Sequence, residues 1–231
     1  MQAVTRSCVA SLNKAIRRQG PTHALCVMDS DQPSWRHLEY PQYKSNRAAM
    51  PEALKQGLDE VLRQFQLQGV KAFRHVGFEA DDVIATIAVK VAGADGQVTI
   101  LSTDKSLCQV LRSGVRIYDH FSDRYLDADY VRGRFEVESE QLATFQSLVG
   151  ETSVNVSGVH GIGKRTASKL IHDYGELKTI LQSADHIGGN IGKKLRDGAR
   201  DAKVALRLLT LRTDLDLGLN LRDFRINPVN S

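Results

Sequence analysis

The stretch "VKAFRHVGFEADDVIATIAVKVA", residues 70–92, decides the reading of the fold. Its first seven residues, with Val70, Phe73 and Val76, read as a strand. Gly77 interrupts them, and from Glu79 the apolar residues return at helical spacing, so a helix is expected over 79–92. A strand running into a helix asks for the same alternation on either side, and both sides supply it. Upstream, "HALCVMD" (23–29) reads as a buried strand and "PEALKQGLDEVLRQFQLQG" (51–69) as an amphipathic helix, with Pro51 near its start and Gly69 past its end. Downstream come the strand "QVTILST" (97–103), a short helix over 105–111 and the strand "VRIYDHF" (115–121). The alternation implies an α/β domain with a mostly parallel central sheet.

From Val137 the pattern changes to helices separated by glycine-bearing turns: 138–149, "GVHGIGKRTASKLI" (158–171), 176–183 and 190–210. Two parts are therefore expected, an α/β body over 1–136 and a helical part over 137–231. Between Asp31 and Pro51 lies a polar, basic segment with interleaved aromatics, "SWRHLEYPQYKSNR", too long for a tight strand-to-helix loop. Such an insertion usually carries function.

Composition excludes several classes. With 231 residues and 42% hydrophobic content the chain can bury a core without staples. Cys8, Cys26 and Cys108 are odd in number and form no CxxC pair, so neither a disulfide framework nor a zinc site is expected. No apolar run approaches the roughly 18 to 20 residues of a membrane span, and the first residues lack a signal peptide's apolar core. The expectation is a cytoplasmic protein with no membrane partner. A net charge of +4 and a pI near 9.0 suit a polyanionic partner where the basic residues are grouped.

In a parallel α/β sheet, ligands bind outside the carboxyl ends of the strands. The polar residues expected there are all acidic: Asp29 after the first strand, Glu79, Asp81 and Asp82 after the second, Asp104 in "LSTDKS" after the third. Ionised carboxylates about 5 Å apart repel by roughly 3 kcal/mol at an effective dielectric near 20. A hard divalent cation, Mg²⁺ or Mn²⁺, would relieve that crowding. Taken singly, each acid also fits an ordinary role: capping at the starts of helices, or opening a turn.

The glycine segment carries the opposite charge. Gly158, Gly161 and Gly163 surround Ile162, and Lys164 and Arg165 open a helix whose Lys169 follows Arg165 by four residues. Glycines admit an anion close to the backbone, and a helix start presents unpaired N–H groups, so this is a phosphate cradle or else a simple turn between packed helices. It is not a Walker A loop, because Arg165 stands where Ser or Thr belongs. In the insertion, Lys44 and Arg47 are three apart and would share a helical face, near Arg36 and Tyr43.

Taken together, "VMD", "WRHLEYPQYKSNRAAMP", "GFEADDVIATIA", "STDKSLCQ" and "GVHGIGKRTASKL" occur in the order of the 5′-nuclease (flap endonuclease) family, which the chain resembles from about residue 20 onward. That family includes the nuclease domain of bacterial DNA polymerase I, and the likeness is strongest to its stand-alone bacterial branch. The resemblance implies an α/β body with a helical arch in the insertion and a helix-hairpin-helix motif in the glycine segment. It implies metal-dependent cleavage of 5′ flaps at single-strand/double-strand DNA junctions, by a monomer. Asp29, Glu79, Asp81, Asp82 and Asp104 fall on acidic metal positions, Asp81 foremost for Mg²⁺. Lys44 and Arg47 resemble the arch cations at the scissile phosphate, and Gly161, Ile162, Gly163, Lys164, Arg165 and Thr166, with Lys169, the duplex-binding turn. A K⁺ ion held by backbone carbonyls would involve Leu148, Val149, Ser157, Val159 and Ile162.

Departures accompany the likeness. Ser106 replaces the second acid of a "DKD" motif, and "GETSVN" keeps an acid only at Glu151, with Val154 where its partner belongs. The family also opens with a central strand ending in Asp, for which this sequence has no counterpart; Met1 is expected to fall inside the first helix, with the true start upstream or the chain impaired. Two other functions stay open on the sequence: flap binding without cutting, and a small ribonuclease of PIN type, against which the glycine hairpin speaks.

Overall fold

A computed structural model describes residues 2–226. In chain order α1 (Gln2–Gln19), β1 (Leu25–Met28), α2 (Trp35–Glu39), α3 (Glu52–Leu67), β2 (Lys71–Arg74) and α4 (Ala80–Gly93) precede β3 (Val98–Leu101), β4 (Val115–Asp119) and β5 (Arg124–Tyr125). They are followed by α5 (Ala128–Phe135), α6 (Leu142–Val149), the strand pair β6 (Gly150–Glu151) and β7 (Val156–Ser157), then α7 (Lys164–Tyr174), α8 (Leu177–Gln182), α9 (Ala184–Ile187), α10 (Gly189–Asp197) and α11 (Ala199–Leu209). Met1 lies outside the described residues, and the helix expected at that end is α1. Two compact units result, and the boundary between them falls within α4 after Ile84.

The first unit comprises the residues up to Ser34, Ala48–Ile84 and the chain from Asp214. Its sheet is β1 paired parallel to β2, Leu25 opposite Lys71 and Met28 opposite Arg74. β1 is half-buried along its length, where the sequence reading had it buried. Helix α3 begins at Pro51 (φ −55°), whose missing N–H costs nothing at a helix start, and ends before Gly69, whose φ of +80° is easily reached without a side chain. α1 packs on α3, and the late segment returns to the sheet: Ala24 N donates to Phe224 O (2.9 Å) and Ile226 N to Thr22 O (3.1 Å).

The second unit comprises Trp35–Arg47 and Ala85–Thr213. Here β4 pairs parallel with β3 and antiparallel with β5. The parallel pairings expected from the sequence are present, in two separate sheets, because periodicity identifies a strand without naming its neighbour. The turn between β4 and β5 is tied by the Asp119 carboxylate, which accepts from Phe121 N, Ser122 N and Ser122 Oγ. Fully buried Leu107, Ile117, Leu126, Leu142, Leu148, Ile171, Leu195 and Leu208 form the interior, each contributing about 1.5–3 kcal/mol. The helix expected over 190–210 is two helices, α10 and α11, broken at Gly198, where a Cβ would stand 2.9 Å from Val159 Cγ1.

Candidate functional site

The acidic turn is built by the first unit. β1 and β2 run parallel, so Asp29 and Glu79 to Asp82 leave the same end of the sheet. Asp29 Oδ1 accepts a hydrogen bond from Ala80 N at 2.8 Å and so caps α4 from the neighbouring strand. Asp81 and Asp82 occupy the first turn of α4, where the helix dipole favours negative charge. Asp82 is 0% exposed and Glu79 7%, while Asp81 is half-buried. Four of the five expected carboxylates are therefore gathered at one helix start. Asp104 follows β3 in the second unit, exposed, with Oδ1 accepting from Ser106 N at 2.8 Å.

The donor types suit a hard divalent cation. Their grouping does not amount to a cage: among the described residues no three His, Cys, Asp or Glu side chains are arranged to hold a metal ion. Both departures from the family pattern have a local reading. Ser106 Oγ is buried without a hydrogen-bond partner, so a carboxylate at this position would need a ligand of its own. Val154 is 8% exposed and packs in a cluster with Tyr43, Val156, Ala205, Leu208 and Leu209, where a second acid would sit in an apolar setting. The remaining acid of that loop, Glu151, accepts from Ser153 N (3.1 Å) and Ser153 Oγ (2.7 Å).

The insertion is a correction to the sequence reading. Lys44 and Arg47 do not share a helical face: α2 ends at Glu39, the chain turns from Pro41 to Asn46, and Lys44 has a left-handed φ of +55°. Long-range hydrogen bonds within the second unit hold this turn on the loop after α6. Lys44 N donates to Val154 O (2.8 Å), Asn46 Nδ2 to Thr152 O (2.7 Å) and Arg47 Nε to Ser153 O (3.0 Å). Asn155 Nδ2 returns bonds to Gln42 O and Ser45 Oγ, both 2.9 Å. Beneath, Arg36 is 2% exposed; its Nε donates to Leu208 O (2.6 Å) and its Nη2 to Thr210 O (3.2 Å), satisfying carbonyls at the end of α11. Lys44 Nζ lies 5.2 Å from the Tyr43 ring centroid. Sequence reasoning missed Arg36 and Asn155 as supports; the one signal for Asn155 is its residue type, since Asn tolerates the left-handed φ of +56° that it has here.

The glycine segment connects β7 to α7, and α6 packs on α7. Gly158 admits the close approach of two backbones, since a Cβ there would meet Gly150 N and Leu148 O at 2.4 Å. Of the carbonyls expected around a K⁺ ion, Leu148 O already accepts from Val159 N (2.9 Å) and Val159 O from Ile162 N (3.0 Å). A carbonyl has two lone pairs, so those bonds leave capacity. Gly161 is exposed at φ +76°, Ile162 is buried and anchors the turn, and Gly163 is the N-cap of α7. Lys164, Arg165 and Lys169 are exposed and Thr166 half-buried, with no acid in the first turn of α7. From α10, Lys194 Nζ donates to Gly161 O at 2.9 Å, a contact the sequence did not reveal.

Comparison with known proteins places the whole chain in one family. Residues 1–136 match the family model "5′-3′ exonuclease, N-terminal resolvase-like domain", and residues 137–231 match "5′-3′ exonuclease, C-terminal SAM fold". The chain is 41% identical over 225 residues to a flap endonuclease Xni from Colwellia psychrerythraea, covering 97% of this chain and 77% of the relative. Another flap endonuclease Xni, from Cronobacter sakazakii, is 40% identical, covering 96% of this chain and 89% of its own. The fold matches a bacteriophage T5 protein co-crystallised with metal ions, with a TM-score of 0.80 at 22% identity over 90% of this chain and 83% of that one. Both halves and nearly the whole length are accounted for by one family, and the chain belongs to the 5′-3′ exonuclease family.

Proposed function

We propose that this protein is a flap endonuclease and 5′-3′ exonuclease that hydrolyses phosphodiester bonds where a 5′ single strand leaves a DNA duplex. The observation that carries the reading is the gathering of Asp29, Glu79, Asp81 and Asp82 at the start of α4, in a chain whose curated relatives are named flap endonucleases. Those names, and the retained acids, favour hydrolysis over binding without cutting.

The reading assigns each group a task. Asp81, with Glu79, Asp82 and Asp29, would hold Mg²⁺ or Mn²⁺; such ions are commonly bound by one or two carboxylates together with substrate phosphates, which agrees with an incomplete protein set. When bound, the ion supplies a polarised water and charge neutralisation. Lys44 and Arg47 would set positive charge against a phosphate as it gains negative charge. In this reading α6, the glycine turn and α7 would act as a helix-hairpin-helix that holds the duplex by backbone phosphates, through Gly161 to Thr166 and Lys169, with K⁺ at the carbonyls of Leu148, Val149, Ser157, Val159 and Ile162. The reading takes 1–136 as the body and 137–231 as the duplex-holding part, supported by the residues over which the two family models match. The reading is of a monomer in the cytoplasm, and three free cysteines, Cys8, Cys26 and Cys108, accord with a reducing compartment.

The test is a rate comparison of the intact chain on an end-labelled 5′-flap DNA and a single-stranded RNA, each in Mg²⁺ and in Mn²⁺. Junction-specific DNA cleavage is expected. Equal cutting of the RNA, or tight flap binding with no cleavage at any metal concentration, would replace the proposal with one of its rivals.

A further inference from the structure

The Lys and Arg residues of α7 and α10 fall into two sets. On α10, Lys193 Nζ pairs with Asp197 (2.8 Å) and Arg196 Nη1 with Asp185 (2.7 Å), so these charges are neutralised on the protein. Lys164, Arg165 and Lys169 of α7 and Lys194 of α10 form no ion pair among the described residues. Lys194 is distinguished further by where its ammonium is held. It donates to Gly161 O at 2.9 Å, at the glycine turn that opens α7. A Cβ on Gly161 would stand 2.8 Å from Lys194 Nζ and 2.9 Å from its Cε, so the end of this side chain lies directly against the turn, where a φ of +76° favours glycine. The C-terminal end of α10, the end that carries Lys194, is fixed as well, because Gly198 lets the chain approach Val159 Cγ1.

An ammonium has three N–H donors, and the carbonyl takes one. The side chain is half-buried, with its stem against the turn. We infer that Lys194 is a further phosphate-binding residue of the DNA interface, adding a cation from α10 to the one formed by the start of α7. The inference rests on the proposed DNA-binding role of the glycine turn and extends it to a second helix. A lysine that merely tied two helices together would use the same hydrogen bond, so the distinction has to be read in charge, not in affinity alone.

The experiment measures affinity for a fixed-length duplex as a function of salt, for the unsubstituted protein, Lys194→Gln and Lys193→Gln. One lost phosphate contact lowers the slope of log K against log salt by about 0.9 and weakens binding roughly eightfold at 0.1 M salt. The expected result is that loss for Lys194→Gln and an unchanged slope for Lys193→Gln. An unchanged slope for Lys194→Gln, whatever its affinity, overturns the inference. A second measurement needs no substitution: amine-modification mapping of the unsubstituted protein should show Lys194 protected by duplex while Lys193 stays reactive, and unprotected Lys194 would be equally fatal. A chain that shows no measurable duplex binding at any salt contradicts the role of the turn itself, a different failure.

Discussion

Two helix starts in this protein carry opposite charge, and they do not inform equally. α4 opens with Asp81 and Asp82 and is capped by Asp29; α7 opens with Lys164 and Arg165 and has no acid in its first turn. The dipole of α4 stabilises its acids, so their presence alone demands no ligand. The dipole of α7 opposes its cations by about 0.3–1 kcal/mol each. A helix that keeps cations at its own expense points to an anion more firmly than one that keeps acids to its own advantage. The glycine turn is thus the stronger sign of DNA binding, and the acidic turn draws its meaning from its place in the family.

That asymmetry can be broken by substitution. Replacing both Lys164 and Arg165 by Gln should weaken duplex affinity by roughly 60-fold at 0.1 M salt, as expected for two phosphate contacts, while raising thermal stability slightly. A fall in both would mean that these side chains support the fold and not the interface. At the other start the sign reverses: Asp29→Ala removes the carboxylate on Ala80 N and should cost about 1 kcal/mol in urea denaturation. No loss there would remove the capping role.

Asp119 is a reference carboxylate whose task is wholly local. Burial raises its pKa, but the bonds from Ser122 N, Ser122 Oγ and Phe121 N outweigh burial and leave it below the ordinary value. A lowered folded pKa means a stabilising contribution that is complete above the unfolded value, near pH 4, and lost as pH falls through the lower folded value. Asp119→Asn should therefore be less stable than the unsubstituted protein at neutral pH, with the gap closing in acid and DNA cleavage unchanged. A gap independent of pH would show that the carboxylate's charge is not what holds the hairpin. Cys108 offers a similar local check: burial, then the nearby Asp104, push its thiol up to about 12, so it should resist alkylation at neutral pH until the protein unfolds.

The sequence was most legible where local chemistry decides structure. β1 to β4, α3 and α4 follow from periodicity, Pro51 and Gly69, and the turn into α7 from its glycines. α5 was missed although Asp127 signals it, accepting from Tyr130 N as an N-cap. What stayed hidden was long-range. The turn carrying Lys44 and Arg47 is shaped by bonds to Thr152, Ser153 and Val154, more than a hundred positions away in sequence. Lys193 and Lys194 are adjacent; the first meets Asp197 four residues further along α10, a spacing legible in the sequence, and only packing brings the second to the glycine turn. Likewise Val154, an apparent loss of an acid, becomes intelligible only as part of a cluster with Tyr43 and Leu208.

The central claim is that the acids at the start of α4 cut DNA as well as cap a helix. Single-turnover cleavage of a 5′-flap in Mg²⁺ by the unsubstituted protein and by Asp81→Ala tests it most directly. The expected result is a loss of about a hundredfold or more in rate, the scale of removing a key electrostatic group from a catalytic site, with flap affinity retained. Unaltered cleavage by Asp81→Ala would contradict the claim and leave the acidic turn as a helix cap and nothing more.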